Sequence, residues 1–503
     1  MKKIFLNISW LIAIVVIATS CDSFLEENPK TFLTPGSYFQ NEKQVVAAVN
    51  GTYTFLPNIL SGDIEVNSQT FMFLEYLSGY GWRPRGAGIQ DLSQPVNLSV
   101  AENNMYVERL WRTAYSAIEN CNSVIEGIES IEEGILSDER KNVLLGEVYF
   151  MRAYNYFNLV RLYGPVPLKT SSTKDLSEVQ IALTPIDEVY AQIEADMTKA
   201  AELMQNSPWT NNSGRVTKGT VKSFLAKLYL TMAGFPLQKG NSYYQKAYET
   251  AKEVSQSGAF SLFSNYSQLR TVENSGEHIW SVQREANNAG SPVHNSMLPY
   301  PEPAKDISAN PQSGGGLAPT QMFYNSYPAN DRRTAEKGYY YTEHEAQDGS
   351  GMVSLGAPFI YKFWDNNAAS SGRSGANYWL LRYADVLLML AEAKAQADGG
   401  STNSSDAIDA YFAVRVRALP SETKPSSLSV NDILKERFWE LCFEGQTWYD
   451  MLRTRKALHV NTIQIVDMVG YQTPGHSGPF KESDLLFPYP IREKRLNPNL
   501  VRN

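Results

Sequence analysis

The chain has 503 residues, of which 43% are hydrophobic and 19% are charged, a balance that is typical of globular proteins and excludes a disordered chain. Its formal net charge of −8 argues against nucleic acid as a partner, because the phosphate backbone selects basic surfaces. The length is sufficient for one large core or for two or three lobes.

The first 20 residues have the parts of a secretory signal. Lys2 and Lys3 precede an apolar run from Ile4 to Ala18, and small residues stand immediately before Cys21. The apolar run is shorter than the roughly 20 residues that a spanning helix needs. We therefore predict a signal peptide at residues 1–20 and a bacterial lipoprotein that is cut before Cys21 and carries lipid, including palmitate, on that residue. The alternative is an uncleaved anchor in which the cysteine occurs by chance.

Residues 21–40 contain Pro29, Pro35 and Gly36 and are predicted to form an extended tether. An amino-terminal helical region at 41–259 follows. Its predicted helices are Glu42–Phe55, Asn104–Ile131, Ser137–Tyr163, Pro185–Met204, Lys218–Gly234 and Tyr243–Ser257. The stretch from Val143 to Tyr163 is apolar on nearly every side, so this helix should be covered from more than one direction.

The character of the chain changes at 260–377, where glycine, proline and polar residues are frequent. We predict a loop-rich insertion here with a few short strands, such as His278–Val282 and an edge strand at Tyr339–Tyr341. A carboxyl-terminal helical region at 378–503 completes the chain. Its predicted helices are Tyr378–Ala397, Ser405–Ala418 and Val430–Lys456.

The fold class that these elements indicate is mainly α. In the helix after Arg382, residues Tyr383, Val386, Leu387 and Leu390 follow the i, i+3, i+4, i+7 spacing of a single apolar stripe. Successive helices joined by short turns predict a tetratricopeptide-like helical stack, an α-α superhelix, although the strict 34-residue signature of such repeats is missing.

Cys121 and Cys442 both lie in segments that read as helix. An exported protein permits a disulfide between them. Their apolar surroundings favour the other interpretation, in which they are two buried thiols.

The sequence has no recognisable catalytic or metal-binding motif. It lacks a nucleophile elbow, a His-Glu-x-x-His, a Walker loop and a Cys-x-x-Cys pair, and its five histidines lack metal-ligand spacing. Asp365-Asn366-Asn367 is a weak candidate for calcium. We expect no enzyme activity, no cofactor and no metal. The cluster of charges on the last long helix is interpreted as a salt-bridge network in which Glu444 can pair with Arg453.

Aromatic side chains beside polar and basic ones form the candidate ligand site. Trp82 is the strongest candidate, and Tyr80, Arg83 and Arg85 accompany it in a glycine-rich segment. A second aromatic set in the insertion contributes Trp280, Tyr300 and Trp364, each of which could instead be core. Ligand sites combine apolar walls with a few placed polar groups, and sugars stack their C–H faces on such rings.

Several segments together resemble the SusD/RagB family of outer-membrane nutrient-binding lipoproteins. The resemblance covers nearly the whole mature chain. It rests on the segments Cys21 to Glu27, Asn41 to Tyr53, Trp111 to Asn122, Gly146 to Tyr154, Leu162 to Pro167, Arg382 to Asp385, Ala391 to Ala393, Glu436 to Arg453, Leu486 to Ile491 and Asn497 to Leu500.

The resemblance implies a non-catalytic binder of oligosaccharide or polysaccharide that delivers its ligand to a TonB-dependent transporter in the outer membrane. Uptake of peptides by a protein of the same fold is the alternative, and a glycan-degrading enzyme is a third. The acidic residues Asp22, Glu26 and Glu27 are similar to an export signal, so the lipid anchor on Cys21 is expected to hold the protein on the cell exterior. Trp82 falls where relatives place a stacking aromatic.

Overall fold

The computed structural model describes residues 38–56, 70–86, 90–300, 302–311 and 314–501. The predicted signal peptide at 1–20, Cys21 and the predicted tether up to residue 37 lie outside these residues. The helices of the first half are α1 (Glu42–Tyr53), α2 (Thr70–Ser78), α3 (Gln90–Val96), α4 (Met105–Glu129), α5 (Asp138–Tyr163), α6 (Ile186–Leu203), α7 (Lys218–Ala233) and α8 (Asn241–Gln256). Those of the second half are α9 (Gln268–Thr271), α10 (Val293–Ser296), α11 (Glu302–Ile307), α12 (Gln321–Tyr324), α13 (Asn366–Ser371), α14 (Tyr383–Ala397), α15 (Ser405–Ala418), α16 (Val430–Glu440), α17 (Thr447–Thr454) and α18 (Ile491–Leu496).

The strands of the described residues form short antiparallel pairs. They are β1 (Gly81–Trp82) with β3 (Ala318–Pro319), β2 (His278–Val282) with β6 (Tyr378–Arg382), β4 (Tyr340–Glu345) with β5 (Met352–Ile360), β7 (Ser401–Thr402) with β8 (Leu428–Ser429), and β9 (Lys456–His459) with β10 (Gln464–Asp467). The β2–β6 and β4–β5 pairs involve the region that was predicted to be loop-rich.

Helices that are consecutive in the chain pack against one another, and the described residues are mainly helical, which confirms the predicted mainly-α, tetratricopeptide-like architecture. Helix α5 packs against α4, α6 and α1, and α8 packs against α7 and α14. The covering of α5 from several sides agrees with its nearly uniform apolar surface. The division into regions at 41–259, 260–377 and 378–503 stays a prediction.

Local capping explains where the long helices begin and end. The Asn104 side chain accepts hydrogen bonds from the Tyr106 and Val107 backbone N–H groups at 2.9 and 3.3 Å, which starts α4. Ser137 starts α5 in the same way through the Arg140 N–H at 3.2 Å. Helix α5 ends at Gly164, whose φ of 73° is a conformation that glycine adopts without strain.

Two predicted helices are wrong in part. Residues Tyr378–Arg382 form strand β6 because they pair with β2, and the helix begins only at Tyr383. The predicted helix Val430–Lys456 is two helices, α16 and α17. The chain turns between them, where Phe443 and Gly445 have φ values of 63° and 70°. The pattern of apolar residues continues through both junctions and therefore hides them.

Cys121 and Cys442 are free and buried, as their apolar surroundings indicated. Within the ranges given above, no helix combines the length and the apolarity that crossing a membrane requires.

A buried ion-pair network occupies the interior beside α16. The Glu440 carboxylate, fully buried, contacts the guanidinium groups of Arg417 at 2.6 Å and of Arg333 and Arg382 at 3.2 Å. It also accepts a hydrogen bond from the Tyr339 hydroxyl at 2.8 Å. These arginines hold the pKa of Glu440 at about 2 against the opposing effect of burial. A salt-bridge network was predicted, and the structure places it in the core.

The predicted pairing of Glu444 with Arg453 is wrong. Glu444 contacts Arg382 at 2.6 Å and the Lys362 ammonium. Arg453 instead pairs with Glu392 at 2.5 Å and with Asp450 at 2.7 Å. The turn at Phe443 separates Glu444 from α17, so the two side chains enter different parts of the network.

The substitution Glu440→Gln tests how much this network contributes to the free energy of unfolding. The amide keeps the shape of the side chain but leaves three buried arginines short of one negative charge. We expect the free energy of unfolding, measured by urea denaturation, to fall by roughly 3–5 kcal/mol.

The matched control is Glu102→Gln, which breaks an exposed pair with Lys494 at 2.7 Å. Its expected effect is below about 1 kcal/mol. Equal effects of the two substitutions would contradict the role given to the buried network.

Candidate functional site

A cleft of about 570 Å³ opens beside Trp82. Its walls come from distant parts of the chain: the β1 segment, α3, the β3–α12 segment, β5 and the turn at 474–475. The residues that line it are Trp82, Arg83, Gly86, Leu92, Ser93, Val96, Asn97, Pro319, Thr320, Gln321, Met322, Ala357, Pro358, Pro474 and Gly475. Most of these side chains are apolar, and a few polar ones stand among them.

Backbone hydrogen bonds fix the position of Trp82. Strand β1 pairs with β3, so that Trp82 lies opposite Ala318. Just before the strand, the Thr320 N–H donates to the Tyr80 carbonyl at 2.8 Å, and just after it the Arg85 N–H donates to the Gly315 carbonyl at 3.0 Å. The indole is nevertheless 41% exposed. The backbone of Trp82 is therefore fixed in position, while its indole remains exposed as an aromatic surface of the cleft.

The turn at Gly475 packs too closely against this segment for a side chain. The Gly475 N–H donates to the Gly79 carbonyl at 2.7 Å. A Cβ atom on Gly475 would lie 2.7 Å from the Gly81 carbonyl oxygen, closer than such atoms approach. Gly79 itself has a φ of 72°, which favours glycine. Glycine at these positions lets the turn form one wall of the cleft.

Helix α2 leads into β1 and is held by buried polar contacts. The Gly445 N–H donates to the Glu75 carboxyl at 2.7 Å, and the Tyr76 hydroxyl donates to the Gly316 carbonyl. His476 Nε2 lies 2.8 Å from the Tyr76 carbonyl oxygen and therefore carries a proton. Burial lowers the pKa of His476 to about 4, so the imidazole is neutral at physiological pH.

Arg83 is the charged side chain that lines the cleft. Its Nη1 donates to the Gly86 carbonyl at 2.6 Å, while its buried Nε has no acceptor among the described residues. Arg85 lies next to the cleft with its guanidinium 4.9 Å from the centre of the Tyr300 ring. The segment thus presents an indole, a cation and a second cation stacked on an aromatic ring.

The structure places some of the predicted ligand residues at the cleft and buries others in the core. Trp82 and Arg83 line the cleft, and Arg85 and Tyr300 form a pair beside it. Tyr80, Trp280 and Trp364 are only 2%, 2% and 5% exposed, so none of them can stack on a ligand.

Each of these three side chains has a structural role. The Tyr80 hydroxyl donates to the Leu458 carbonyl at 2.9 Å and accepts from the Leu458 N–H at 2.7 Å. Trp280 packs edge-to-face against Phe150 in the core. Trp364 stacks on Tyr361, with 5.3 Å between ring centres. We therefore exclude them from the candidate site.

The sequence did not reveal the other residues that line the cleft. Met322, 42% exposed, lies there with Gln321, and Pro358 and Asn97 complete the lining. Their proximity to Trp82 depends on the pairing of β1 with β3, which joins segments more than 200 residues apart. An exposed methionine on a four-residue helix gives no periodic signal that could have identified it.

The comparisons with known proteins agree with this architecture. A family model described as "Starch-binding associating with outer membrane" matches residues 68–230, and one described as "SusD family" matches residues 333–503. A solved SusD superfamily protein from Parabacteroides distasonis is 32% identical. The alignment covers 92% of this chain and 98% of that one, with a TM-score of 0.83. The chain belongs to the SusD/RagB family.

Two further proteins are less similar to this chain in sequence. SusD-like protein P2 from Formosa agariphila is 27% identical over 90% of this chain and 91% of its own length. Surface glycan-binding protein A from Bacteroides thetaiotaomicron, solved in complex with laminarihexaose, is 21% identical with a TM-score of 0.74. That alignment covers 92% of this chain and 100% of the other, and it shows the common fold.

The buried carboxyl of Glu75 allows a test of the polar contacts that fix the position of α2. Burial raises the pKa of its carboxyl from 4.5 to about 7. Between pH 4.5 and pH 7 the folded protein holds a proton on Glu75 that the unfolded chain releases. The free energy of unfolding that Glu75 contributes is therefore fully present below pH 4.5 and is lost as the pH rises through 7. The substitution Glu75→Gln mimics the protonated form. We expect it to have little effect at pH 5 and to raise the free energy of unfolding by up to about 3 kcal/mol at pH 8.5.

Denaturation curves at the two pH values measure this difference. Glu253→Gln, in an exposed pair with Lys222, is the control and should show no such pH dependence. A Glu75→Gln protein that is destabilised equally at both pH values would contradict the assignment.

Proposed function

We propose that this SusD-family chain is a non-catalytic binder of oligosaccharide or polysaccharide on the cell surface. In this proposal a lipid on Cys21 anchors it in the outer membrane, and it delivers its ligand to a partner TonB-dependent transporter. No cofactor is required. The observation that carries the proposal is the cleft with the fixed and exposed indole of Trp82.

The cleft has the size and the lining of a ligand site. Its volume of about 570 Å³ lies within the roughly 300–1,000 Å³ of small-molecule pockets. The Trp82 ring can take the apolar C–H face of a sugar, and Met322 and Pro358 can enclose the ring from the other side. Arg83, Asn97 and Gln321 supply donors and acceptors for the hydroxyl groups. Recognition of this kind requires no chemical step.

The composition of the lining supports binding without catalysis. Glycosidases place two carboxylates on either side of the scissile bond. Among the described residues that line the cleft there is no Asp or Glu. The comparisons add support, since a structural neighbour of the same fold is described in complex with laminarihexaose and one family model is described as starch-binding.

The anchor and the transporter explain why such a binder would be tethered. A lipid on Cys21 and the short tether that follows would hold the cleft close to a membrane channel. Tethering raises the local concentration of binder and channel for one another and therefore favours transfer of a weakly held ligand. The acidic residues after Cys21 support placement on the cell exterior.

The substitution Trp82→Ala tests the site directly. We expect it to weaken binding to the best polysaccharide of a panel of neutral and acidic glycans by roughly 1–3 kcal/mol, because the stacking surface is lost. Trp82→Phe should retain part of the affinity. Isothermal titration calorimetry and affinity electrophoresis measure both effects.

The control is Trp209→Ala, which removes a partly exposed tryptophan that does not line the cleft. The Lys218 Nζ atom lies 4.7 Å from the centre of the Trp209 ring. Failure of the wild-type chain to bind any glycan in the panel would contradict the proposed function. Peptides that co-purify with the chain and are displaced on substitution of Trp82 would favour the peptide-binding alternative.

Two exposed methionines offer a matched pair for mapping the ligand. Met322 lines the cleft and is 42% exposed, whereas Met352 is 53% exposed and lies outside it. We expect Met322→Ala to weaken glycan binding several-fold, through the loss of about 1 kcal/mol of apolar contact. Met352→Ala should leave the dissociation constant unchanged. Equal effects of the two substitutions would place the ligand elsewhere.

A further inference from the structure

A second cavity lies on the helical stack, away from the Trp82 cleft. It has a volume of about 80 Å³ and is enclosed by the end of α5, the start of α6, the segment after α7, α17 and the chain at 485–486. It shares no lining residue with the cleft. A single water needs only about 10–15 Å³. The cavity therefore has room for several waters or for one compact ligand.

An arginine without a carboxylate partner stands in this cavity. Arg161 is sandwiched between two aromatic rings, with its guanidinium carbon 3.8 Å from the centre of Phe157 and 3.6 Å from that of Tyr449. Its Nε donates to the Phe157 carbonyl at 2.9 Å and its Nη2 to Asn158 Oδ1 at 2.7 Å. In the described part of the chain, no carboxylate oxygen lies within 4.0 Å of it and its Nη1 has no acceptor.

A second polar group in the same wall is also unpaired. Tyr190 is fully buried, and its hydroxyl has no hydrogen-bond partner among the described residues. It lines the same cavity as Arg161. Buried hydroxyl groups nearly always have partners, so the open Tyr190 hydroxyl beside the Arg161 guanidinium indicates that a bound group completes it.

The charges around the cavity determine the kind of ligand. Arg453 also lines it, but this side chain is neutralised by Glu392 and Asp450 at 2.5 and 2.7 Å. Arg455 lies towards the exposed Phe235 ring and has only a long contact with Glu482, at 3.9 Å. Among the described arginines that line the cavity, Arg161 is thus the one with no carboxylate within 4.0 Å, and a ligand with a single negative charge would complement it.

Most of the remaining lining is apolar, with Ile186, Leu452 and Leu486 among its members. A ligand must therefore combine one negative charge with a small apolar body. We infer that this cavity binds a compact monocarboxylate, whose carboxylate accepts hydrogen bonds from Arg161 Nη1 and the Tyr190 hydroxyl while its apolar part packs against α6 and α17. A carboxylate suits this arrangement because its two oxygens can accept from two separate donors.

Benzoate is the probe and benzamide is its neutral counterpart of the same shape. Each is titrated into the full mature chain, and binding is followed by calorimetry and by the rise in melting temperature that a ligand of the folded state produces. We expect benzoate to raise the melting temperature and benzamide to have at least about tenfold lower affinity, because charge-assisted hydrogen bonds are lost.

Two substitutions distinguish the site from a nonspecific effect. Arg161→Met should abolish the rise in melting temperature that benzoate produces, measured against the free variant, because it removes the cation that the carboxylate would contact. Tyr190→Phe removes only the unpaired hydroxyl, so it should fold normally and weaken benzoate binding several-fold. Arg332→Met, at an exposed arginine that does not line the cavity, should bind benzoate as the wild type does.

The inference is overturned if benzoate and benzamide bind equally, or if Arg161→Met retains the benzoate response. The absence of any response in the wild-type chain would also overturn it and would mean that the cavity holds water. Trp82→Ala should leave benzoate binding unchanged, and a loss of binding in that variant would show that the probe occupies the cleft and not this cavity.

Discussion

The ion-pair network around Glu440 and Arg382 is the interaction on which the rest of the structure depends. It joins segments that are far apart in the chain. They are Arg333 and Lys362 between α12 and β6, Glu277 immediately before β2, Arg382 at the end of β6, and Arg417 in α15. Charges this deeply buried are tolerated only when each has partners, so the network requires all of these segments to be in place at once. It thereby fixes the loop-rich part of the chain onto the helical stack.

The candidate cleft is connected to this network through one short turn. Glu444 pairs with Arg382, and the next residue, Gly445, donates its N–H to Glu75 of α2. Helix α2 leads directly into the strand that carries Trp82. The exposed indole is therefore held by a sequence of buried polar contacts that begins in the core. This arrangement suits a preformed binding surface, in which little conformational freedom is lost when a ligand arrives.

The sequence allowed the prediction of features that are encoded locally. Helix α4 has an apolar stripe, α5 is apolar on nearly every side, and Asn104 and Ser137 cap these two helices. The bounds of α4, α5 and α15 were predicted to within about two residues. The strand at Tyr378–Arg382 was missed because its residues would serve equally well as the first turns of a buried helix, and only pairing with β2 decides between them. The break at Phe443 was missed because a left-handed non-glycine residue has no sequence signature.

The candidate site was predicted in part for the same reason. Trp82 and Arg83 lie in a glycine-rich segment whose composition indicated exposure, although Tyr80 of the same segment is buried. Trp280 and Trp364 have no such local signal, because whether an aromatic residue is core or surface depends on what packs against it. Met322 and Pro358 become part of the site only through long-range strand pairing, which one sequence does not reveal. Family resemblance supplied the fold, and the structure was needed to assign the walls of the cleft.

A crystal structure of the mature chain with the oligosaccharide that binds most tightly tests the central claim most directly. The account predicts a sugar ring stacked on the Trp82 indole, with its hydroxyl groups within hydrogen-bond distance of Arg83, Asn97 or Gln321. An oligosaccharide bound at another surface, with the Trp82 cleft free of ligand, would contradict it.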